Sequence, residues 1–163
     1  MNEERSWWFG HLGYDLKNET ETGLHSNLPD EIGFDDLLFF RPRHIIRLHE
    51  LQVEIMTIDD PASVWKDITE SDEETPTRSG RIPPIQSRLT REEYIRQIDQ
   101  LRAHILRGDC YEINFCQEFY AREVPLQPLA VYRSLSELSP NPFSAYYRNE
   151  AKYLICASPE RYL

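Results

Sequence analysis

The stretch that decides the fold is TREEYIRQIDQLRAHILRGDCYEINFCQEFY, residues 90–120. Thr90 and Glu93 form the T-x-x-E pattern of a capping box, in which each side chain satisfies a backbone N–H at the start of a helix. Four apolar residues then recur at helical spacing and predict a single apolar stripe: Tyr94, Ile98, Leu101 and Ile105. Gly108 is typical of the residue that follows a helix.

The residues after Gly108 alternate in character and predict a strand with two different faces. One face is mostly apolar, whereas the other carries Glu112 next to Asn114. Charged and amide side chains on one face of so apolar a strand favour either a cross-strand hydrogen-bonding role or a place in a binding site. The pattern alone leaves both open.

Segments on either side of this stretch predict further strands and one more helix. The aromatic segment WWFGHLGYDL, residues 7–16, predicts a buried strand with close backbone approaches. Alternation predicts three strands after it: Leu37–Arg41, His44–Leu48 and Gln52–Ile58. Beyond residue 120, Pro128 begins a helix that runs to about Leu138. Two paired strands follow: Phe143–Arg148 and Lys152–Ala157. We therefore predict an α+β fold.

Residues 59–88 differ in composition from the segments around them, with an acidic cluster followed by proline and glycine. This composition predicts a linker with a short helix around Ala62–Ile68. The chain then divides into an N-terminal sheet segment, residues 1–58, the linker, and a second folded region, residues 89–163. It has no internal repeat, and its first and last residues lie close to apolar segments, so we expect a piece of a larger fold.

Composition excludes several classes of protein. With 40% hydrophobic residues the chain is not disordered, and its net charge of −10 argues against nucleic acid or an anionic membrane as a partner. No apolar run approaches the ~20 residues of a membrane span, and no signal peptide is recognisable. The three cysteines lack metal-binding spacing and indicate buried, reduced thiols of a cytoplasmic protein: Cys110, Cys116 and Cys156. The five histidines show no ligand spacing either, so no metal ligands are predicted.

Three ordered motifs carry a resemblance to a known family: GDCYEINFCQEFY at 108–120, NPFSAYYRNE at 141–150 and ASPERYL at 157–163. Together with WFGHLGYDLKN at 8–18, they resemble the chorismate-binding family, which includes anthranilate synthase component I and aminodeoxychorismate synthase component I. The resemblance implies part of that family's helix-flanked, two-sheet sandwich, with its chorismate-binding region beginning in residues 89–163.

GDCYEIN and PFSA look most like aminodeoxychorismate synthase component I, which implies a reaction. Chorismate and ammonia give 4-amino-4-deoxychorismate for p-aminobenzoate and folate synthesis. The ammonia comes from a glutamine amidotransferase subunit, and magnesium holds the substrate. Two alternatives stay open: an anthranilate synthase component I-like enzyme of tryptophan synthesis, and a non-catalytic remnant or ligand-binding module.

The resemblance implies a proton donor at Glu160, in the motif SPE. A hydroxyl leaves readily only when it is protonated, and burial can raise the pKa of a carboxylic acid enough for that role. The alternative is a strand-end glutamate paired with Arg161.

Glu112 lies where ammonia-using members of the family usually carry Gln and water-adding members carry Lys. A glutamate departs from both patterns and is assigned to the nucleophile or ammonia side of the site. A cross-strand hydrogen bond without a catalytic part is the alternative. We expect Glu112 and Glu160 to line one cavity in the complete enzyme.

Pro142, Phe143 and Ser144 correspond to a tripeptide that helps to bind tryptophan in related enzymes, so they are assigned to a tryptophan-like pocket. An ordinary hairpin strand is an equally weighted alternative. The family's magnesium-binding glutamates and its nucleophilic lysine are expected downstream of residue 163. We therefore expect the 163-residue chain alone to be inactive.

Overall fold

The computed structural model describes residues 7–25, 28–72 and 83–161. Within them lie four α-helices: α1 Lys17–Thr20, α2 Pro61–Glu70, α3 Arg91–Arg107 and α4 Pro128–Leu138. The strands of the same residues are β1 Phe9–Leu12, β2 Leu37–Phe40, β3 His44–His49, β4 Gln52–Thr57, β5 Gln86–Ser87, β6 Phe119–Tyr120, β7 Phe143–Asn149 and β8 Lys152–Ser158. This mixture confirms the predicted α+β class.

The described strands pair two by two: β1 with β2, β3 with β4, β5 with β6 and β7 with β8. The β1–β2 pair is antiparallel and places Gly10 opposite Phe39. The β3–β4 hairpin has a turn at Glu50, whose φ of 52° lies in the left-handed region, and Glu150 has a φ of 54° at the turn of the β7–β8 hairpin. Five strand predictions are confirmed to within two residues at either end: β2, β3, β4, β7 and β8.

The chain separates into two compact units. The first comprises Met1–Thr75 with Arg148–Tyr153, and the second comprises Pro76–Tyr147 with Leu154–Leu163. In the first unit, the Lys152 ammonium at the turn of the last hairpin donates a hydrogen bond to the Gly33 carbonyl. The same ammonium lies 5.8 Å from the centre of the Phe34 ring. The boundaries predicted from the sequence, at residues 58 and 88, stay a prediction.

Helix α3 has both predicted ends. The Glu93 N–H donates to Thr90 Oγ1 at 3.2 Å, and the Thr90 N–H donates to Glu93 Oε2 at 2.8 Å, which confirms the capping box. Gly108 ends the helix with a φ of 85°, a left-handed conformation that glycine adopts without a steric penalty.

Helix α2 lies inside the segment predicted as a linker and is longer than the predicted Ala62–Ile68. Asp60 caps it by accepting a hydrogen bond from the Ser63 N–H at 3.0 Å, and Pro61 occupies the first turn. The helix packs against β4 in the first unit and carries Val64, the one buried hydrophobic side chain in the described part of the chain.

The strand predicted across residues 109–120 is wrong for most of its length. Only Phe119–Tyr120 is a strand, antiparallel to Gln86–Ser87, and residues 110–118 are irregular. A β-strand is stabilised by backbone hydrogen bonds to an adjacent strand. The only neighbour of this segment in the described structure, β5, is two residues long and pairs with its last two residues. The Phe115 ring instead packs against the Tyr94 ring of α3, with the ring centres 5.5 Å apart.

The strand predicted over residues 7–16 is shorter in the structure, where β1 covers only Phe9–Leu12. It cannot extend to residue 16 because a 3₁₀ turn begins at Tyr14. The close approach is confirmed: a Cβ on Gly10 would lie 1.9 Å from the Leu38 carbonyl oxygen. The predicted burial is wrong, since Phe9 and Leu12 of β1 are exposed. A two-stranded ribbon has no second layer of its own to cover both faces.

Many other large apolar side chains are exposed, among them Trp7, Trp8, Phe39 and Ile105. The cysteines are free, as predicted, but Cys116 is exposed and Cys110 and Cys156 are only half-buried, so their predicted burial is wrong. No helix in the described ranges is both long and apolar enough to cross a membrane.

Candidate functional site

Glu160 follows β8 in a short turn held by hydrogen bonds between the Ser158 hydroxyl and the Glu160 backbone. The Ser158 hydroxyl donates to the Glu160 carbonyl at 3.0 Å, and the Glu160 N–H faces the same hydroxyl oxygen at 3.4 Å. Pro159 lies between these two residues, and its ring restricts the backbone angle φ at this position. The side chain of Glu160 is exposed. The turn therefore fixes where the carboxylate leaves the chain.

Arg161 lies over the Phe143 ring, 5.7 Å from its centre. Among the described residues, Arg161 forms no ion pair with Glu160. Its guanidinium lies over the Phe143 ring instead. The Cys156 thiol lies 3.6 Å from the Phe143 carbonyl. These contacts place the SPER segment beside the start of β7.

The tripeptide assigned to a tryptophan-like pocket begins β7. The Ser144 N–H and hydroxyl both donate to the Asn141 carbonyl, at 3.3 and 3.0 Å. Pro142 is exposed, and Phe143 retains 37% of its accessible surface. The Phe143 ring is held on one side by Arg161 and is open to contact with another group. The assignment of these residues to a pocket stays a prediction.

Glu112 lies on the irregular segment between α3 and β6, and its side chain is exposed. Among the described residues, no hydrogen bond or ion pair joins Glu112 to Glu160 or to Phe143. The structure thus brings Phe143 together with Arg161, the neighbour of Glu160. Their predicted roles stay predictions.

Sequence reasoning missed a cluster at the end of α3, formed by His104, Arg107 and Asp109 and called here the helix-end cluster. The His104 Nδ1 lies 2.7 Å from Asp109 Oδ2, and the Arg107 Nε–H donates to the same oxygen at 3.1 Å. A second Arg107 nitrogen, Nη2, also donates to this oxygen. The hydrogen bonds from Arg107 and then His104 lower the pKa of Asp109. Basic residues in the last helical turn before Gly-Asp were the available signal.

The far end of the same segment is held by Arg88. Its guanidinium donates to both carboxylate oxygens of Glu118, at 2.7 and 3.3 Å, and lies 4.3 Å from the centre of the Tyr120 ring. The hydrogen bond from Arg88 lowers the pKa of Glu118. Residues 109–120 are thus held at both ends, with Glu112 between the two attachments.

The first unit contains an open groove of about 670 Å³ between the β3–β4 hairpin and α2. Its polar lining includes Arg43, His44, Asp59 and Asp67. Arg43 holds Asp59 with two hydrogen bonds, at 2.6 and 2.8 Å, and these lower the pKa of Asp59. The charges of the groove are largely paired with each other.

A magnesium site was expected from the resemblance, with ligands outside this chain. Within residues 7–25, 28–72 and 83–161, no three side chains of His, Cys, Asp or Glu are grouped so that they could hold a metal ion. The described residues therefore supply no fitting set of ligands for magnesium.

The family model for chorismate binding enzyme matches residues 1–163, the whole chain. The chain therefore belongs to the chorismate binding enzyme family, which confirms the resemblance seen in its motifs.

Several curated proteins are similar to it at modest identity. An anthranilate synthase component I-like protein of Synechocystis sp. is 27% identical over 159 residues, covering 94% of this chain and 33% of that protein. Aminodeoxychorismate synthase of Streptomyces griseus is 28% identical over 174 residues, covering 96% of this chain and 23% of that protein.

Aminodeoxychorismate synthase component 1 of Escherichia coli is 35% identical over 78 residues, covering 48% of this chain and 17% of that protein. The chain spans about a quarter to a third of the length of the first two relatives. No solved structure matches it at a significant level.

Proposed function

We propose that the full-length protein converts chorismate and ammonia to 4-amino-4-deoxychorismate and water. The observation that carries this proposal is the match of the chorismate binding enzyme model to all 163 residues. The motifs GDCYEIN and PFSA favour the aminodeoxychorismate product. So do the names of relatives in Streptomyces griseus and Escherichia coli.

In this reaction the C4–O bond of chorismate breaks, a C–N bond forms at C4, and the hydroxyl leaves as water. We assign the proton for the leaving hydroxyl to Glu160. The Ser158–Glu160 turn supports this role because it fixes the backbone from which the carboxyl group projects. The side chain is exposed in this chain, so its function as an acid requires a covering surface that excludes water.

Glu112 is assigned to the ammonia side of the site. An ionised carboxylate can hold ammonium by a charge-assisted hydrogen bond and accept the proton that the nucleophile must lose. A second carboxylate also repels the two carboxylates of chorismate, so a screening cation is required nearby. The family's magnesium ion would be that cation. The described residues supply no fitting ligand set, so no step is assigned to it here.

Two partners complete the proposal. A glutamine amidotransferase subunit would supply ammonia, and tryptophan would bind at Pro142, Phe143 and Ser144. The exposed part of the Phe143 ring, with Arg161 on one side, suits contact with an indole ring.

An anthranilate synthase component I-like activity is the second candidate. The names of relatives in Synechocystis sp. and Cereibacter sphaeroides favour it, since the latter is anthranilate synthase component 1 at 28% identity over 174 residues. The two candidates share chorismate and ammonia and differ in the product.

The test is product analysis. The purified full-length protein is incubated with chorismate, ammonium and Mg²⁺, and the products are separated by liquid chromatography. Aminodeoxychorismate that disappears in the Glu160→Gln variant would support the proposal. Anthranilate would favour the second candidate, and unchanged chorismate would favour a non-catalytic binding module.

A further inference from the structure

The helix-end cluster connects α3 to the first residues of the Glu112 segment through the backbone. The Gly108 N–H donates to the Ile105 carbonyl at 3.0 Å, and the Asp109 N–H donates to the His104 carbonyl at 3.1 Å. With Gly108 in the left-handed conformation, this pair of hydrogen bonds is a Schellman motif. The motif sets the direction in which the chain leaves the helix.

A second connection runs through the side chains of the same two residues. The His104 Nδ1 lies 2.7 Å from Asp109 Oδ2 and also 2.7 Å from Arg107 Nη2. In the tautomer that carries its proton on Nδ1, His104 donates to Asp109, and Arg107 donates to the same carboxylate oxygen.

His104 and Asp109 are thus joined twice, through the backbone and through the side chains. Asp109 precedes Glu112 by three residues, whereas the next attachment of the segment, the contact of Phe115 with Tyr94, lies three residues beyond it. Residues 110–114 have no strand partner in the described structure. The position of Glu112 consequently depends on where Asp109 is held.

We propose that His104, Arg107 and Asp109 are positioning residues that hold the segment carrying Glu112 in place for catalysis. This inference rests on the proposed function of Glu112 and adds three residues that do not touch the substrate themselves. It predicts that loss of the hydrogen bond between the His104 and Asp109 side chains makes the backbone at Glu112 more mobile and thereby lowers the turnover rate.

The test compares two replacements of one residue. In His104→Asn the side-chain amide nitrogen takes the place of Nδ1 and can still donate to Asp109. In His104→Gln the amide nitrogen takes the place of Nε2 and cannot. Both residues have helix propensities close to or better than that of histidine. Asp109→Ala removes the acceptor, and Asp99→Asn is the matched control, because Asp99 lies on the same helix and pairs only with Arg102, at 3.6 Å.

The first measurement is the NMR backbone order parameter of Glu112 in the full-length protein. We expect it to fall from about 0.85 towards 0.6 in His104→Gln and Asp109→Ala. It should stay at the wild-type value in His104→Asn and Asp99→Asn. Equal order parameters in all four variants would overturn the proposal.

The second measurement is chorismate turnover by the same variants. We expect kcat to fall roughly ten- to a hundredfold in His104→Gln and Asp109→Ala, with little change in KM, and His104→Asn to recover most of it. Product formation with an unchanged kcat would overturn the positioning role. If the wild type forms no product while the order parameters change as expected, the proposed function fails and the structural connection stands.

Discussion

Arg88 and Glu118 are joined through both backbone and side chains. The Arg88 N–H donates to the Glu118 carbonyl at 3.0 Å, and the Arg88 guanidinium donates to both oxygens of the Glu118 carboxylate. The backbone bond extends the short β5–β6 pair by one residue. The ion pair therefore supports the pairing that ends the irregular segment.

The first prediction concerns the response of this pair to acid. The hydrogen bond from Arg88 lowers the folded-state pKa of Glu118 below its unfolded value of about 4.3. The pair then contributes to stability above that value, and the contribution is lost as pH falls through the lower, folded-state pKa. In Arg88→Gln the midpoint of the Glu118 titration, followed by carboxyl carbon NMR, should move upwards. Arg102→Gln is the control, and equal midpoints in both variants would contradict the role of Arg88.

The second prediction concerns the start of α3. Thr90→Ala removes the oxygen that accepts from the Glu93 N–H and should lower the free energy of unfolding by about 1 kcal/mol. Thr90→Ser keeps the oxygen and should stay close to the wild type. Urea denaturation measures both, and equal losses would show that the capping oxygen does not stabilise the helix.

The third prediction concerns the β1–β2 pair. A Cβ on Gly10 would lie 1.9 Å from the Leu38 carbonyl oxygen, a backbone atom that cannot rotate away. Gly10→Ala should separate the strands at this point and cost roughly 1–3 kcal/mol. In Gly13→Ala the nearest atom is a side-chain oxygen of Asp36, at 2.9 Å, so the loss should be smaller. Nuclear Overhauser contacts across the pair would reveal the separation, and their survival in Gly10→Ala would contradict the expectation.

The fourth prediction separates the two glutamates of the proposed site. Glu160→Gln removes the proton donor and should nearly abolish turnover. Glu112→Gln puts the residue usual in ammonia-using relatives at the same position, where its amide can still hydrogen-bond to ammonia, and should leave substantial activity. Displacing residue 112 should therefore cost more activity than removing its charge. Equal, severe losses of kcat in the two variants would show that the roles are assigned wrongly.

The fifth prediction concerns the exposed apolar surface. Trp8 and Phe39 are 59% and 51% exposed, and within the described residues the β1–β2 ribbon pairs with no third strand. Such surfaces associate with each other or with a covering partner. The 163-residue chain in isolation should therefore self-associate or unfold over a broad range of temperature. A single monomeric species in analytical ultracentrifugation with a sharp, cooperative thermal transition would contradict this.

The sequence predicted helices and strands correctly where their structure depends on residues close to them in the chain. The capping box at Thr90, the glycine at residue 108 and the alternation of β3 and β4 depend on contacts within a few residues, and the structure confirms all three. The predicted strand after Gly108 depended on a distant partner. The pattern contains no information on that partner, and β5 reaches only residues 118–120.

The candidate site was predictable to a lesser degree. The motif around Glu160 indicated the family and a turn after a strand, which the structure contains. The contact of Arg161 with the Phe143 ring could not be predicted, because it depends on the way in which the last hairpin folds back. The helix-end cluster could have been suspected from His104 and Arg107 in the last helical turn, but its geometry depends on the conformation of Asp109.

The hydrogen bond from Lys152 to the Gly33 carbonyl joins residues 119 positions apart within the first unit. A ribosome that adds about 5–20 residues per second needs several seconds to pass from the end of α2 to this lysine. Throughout that interval the nascent first unit lacks the turn of its last hairpin. Closing so long a loop is also entropically costly, which slows folding. The first unit is therefore begun early in synthesis and completed late, when residues 148–153 have been added.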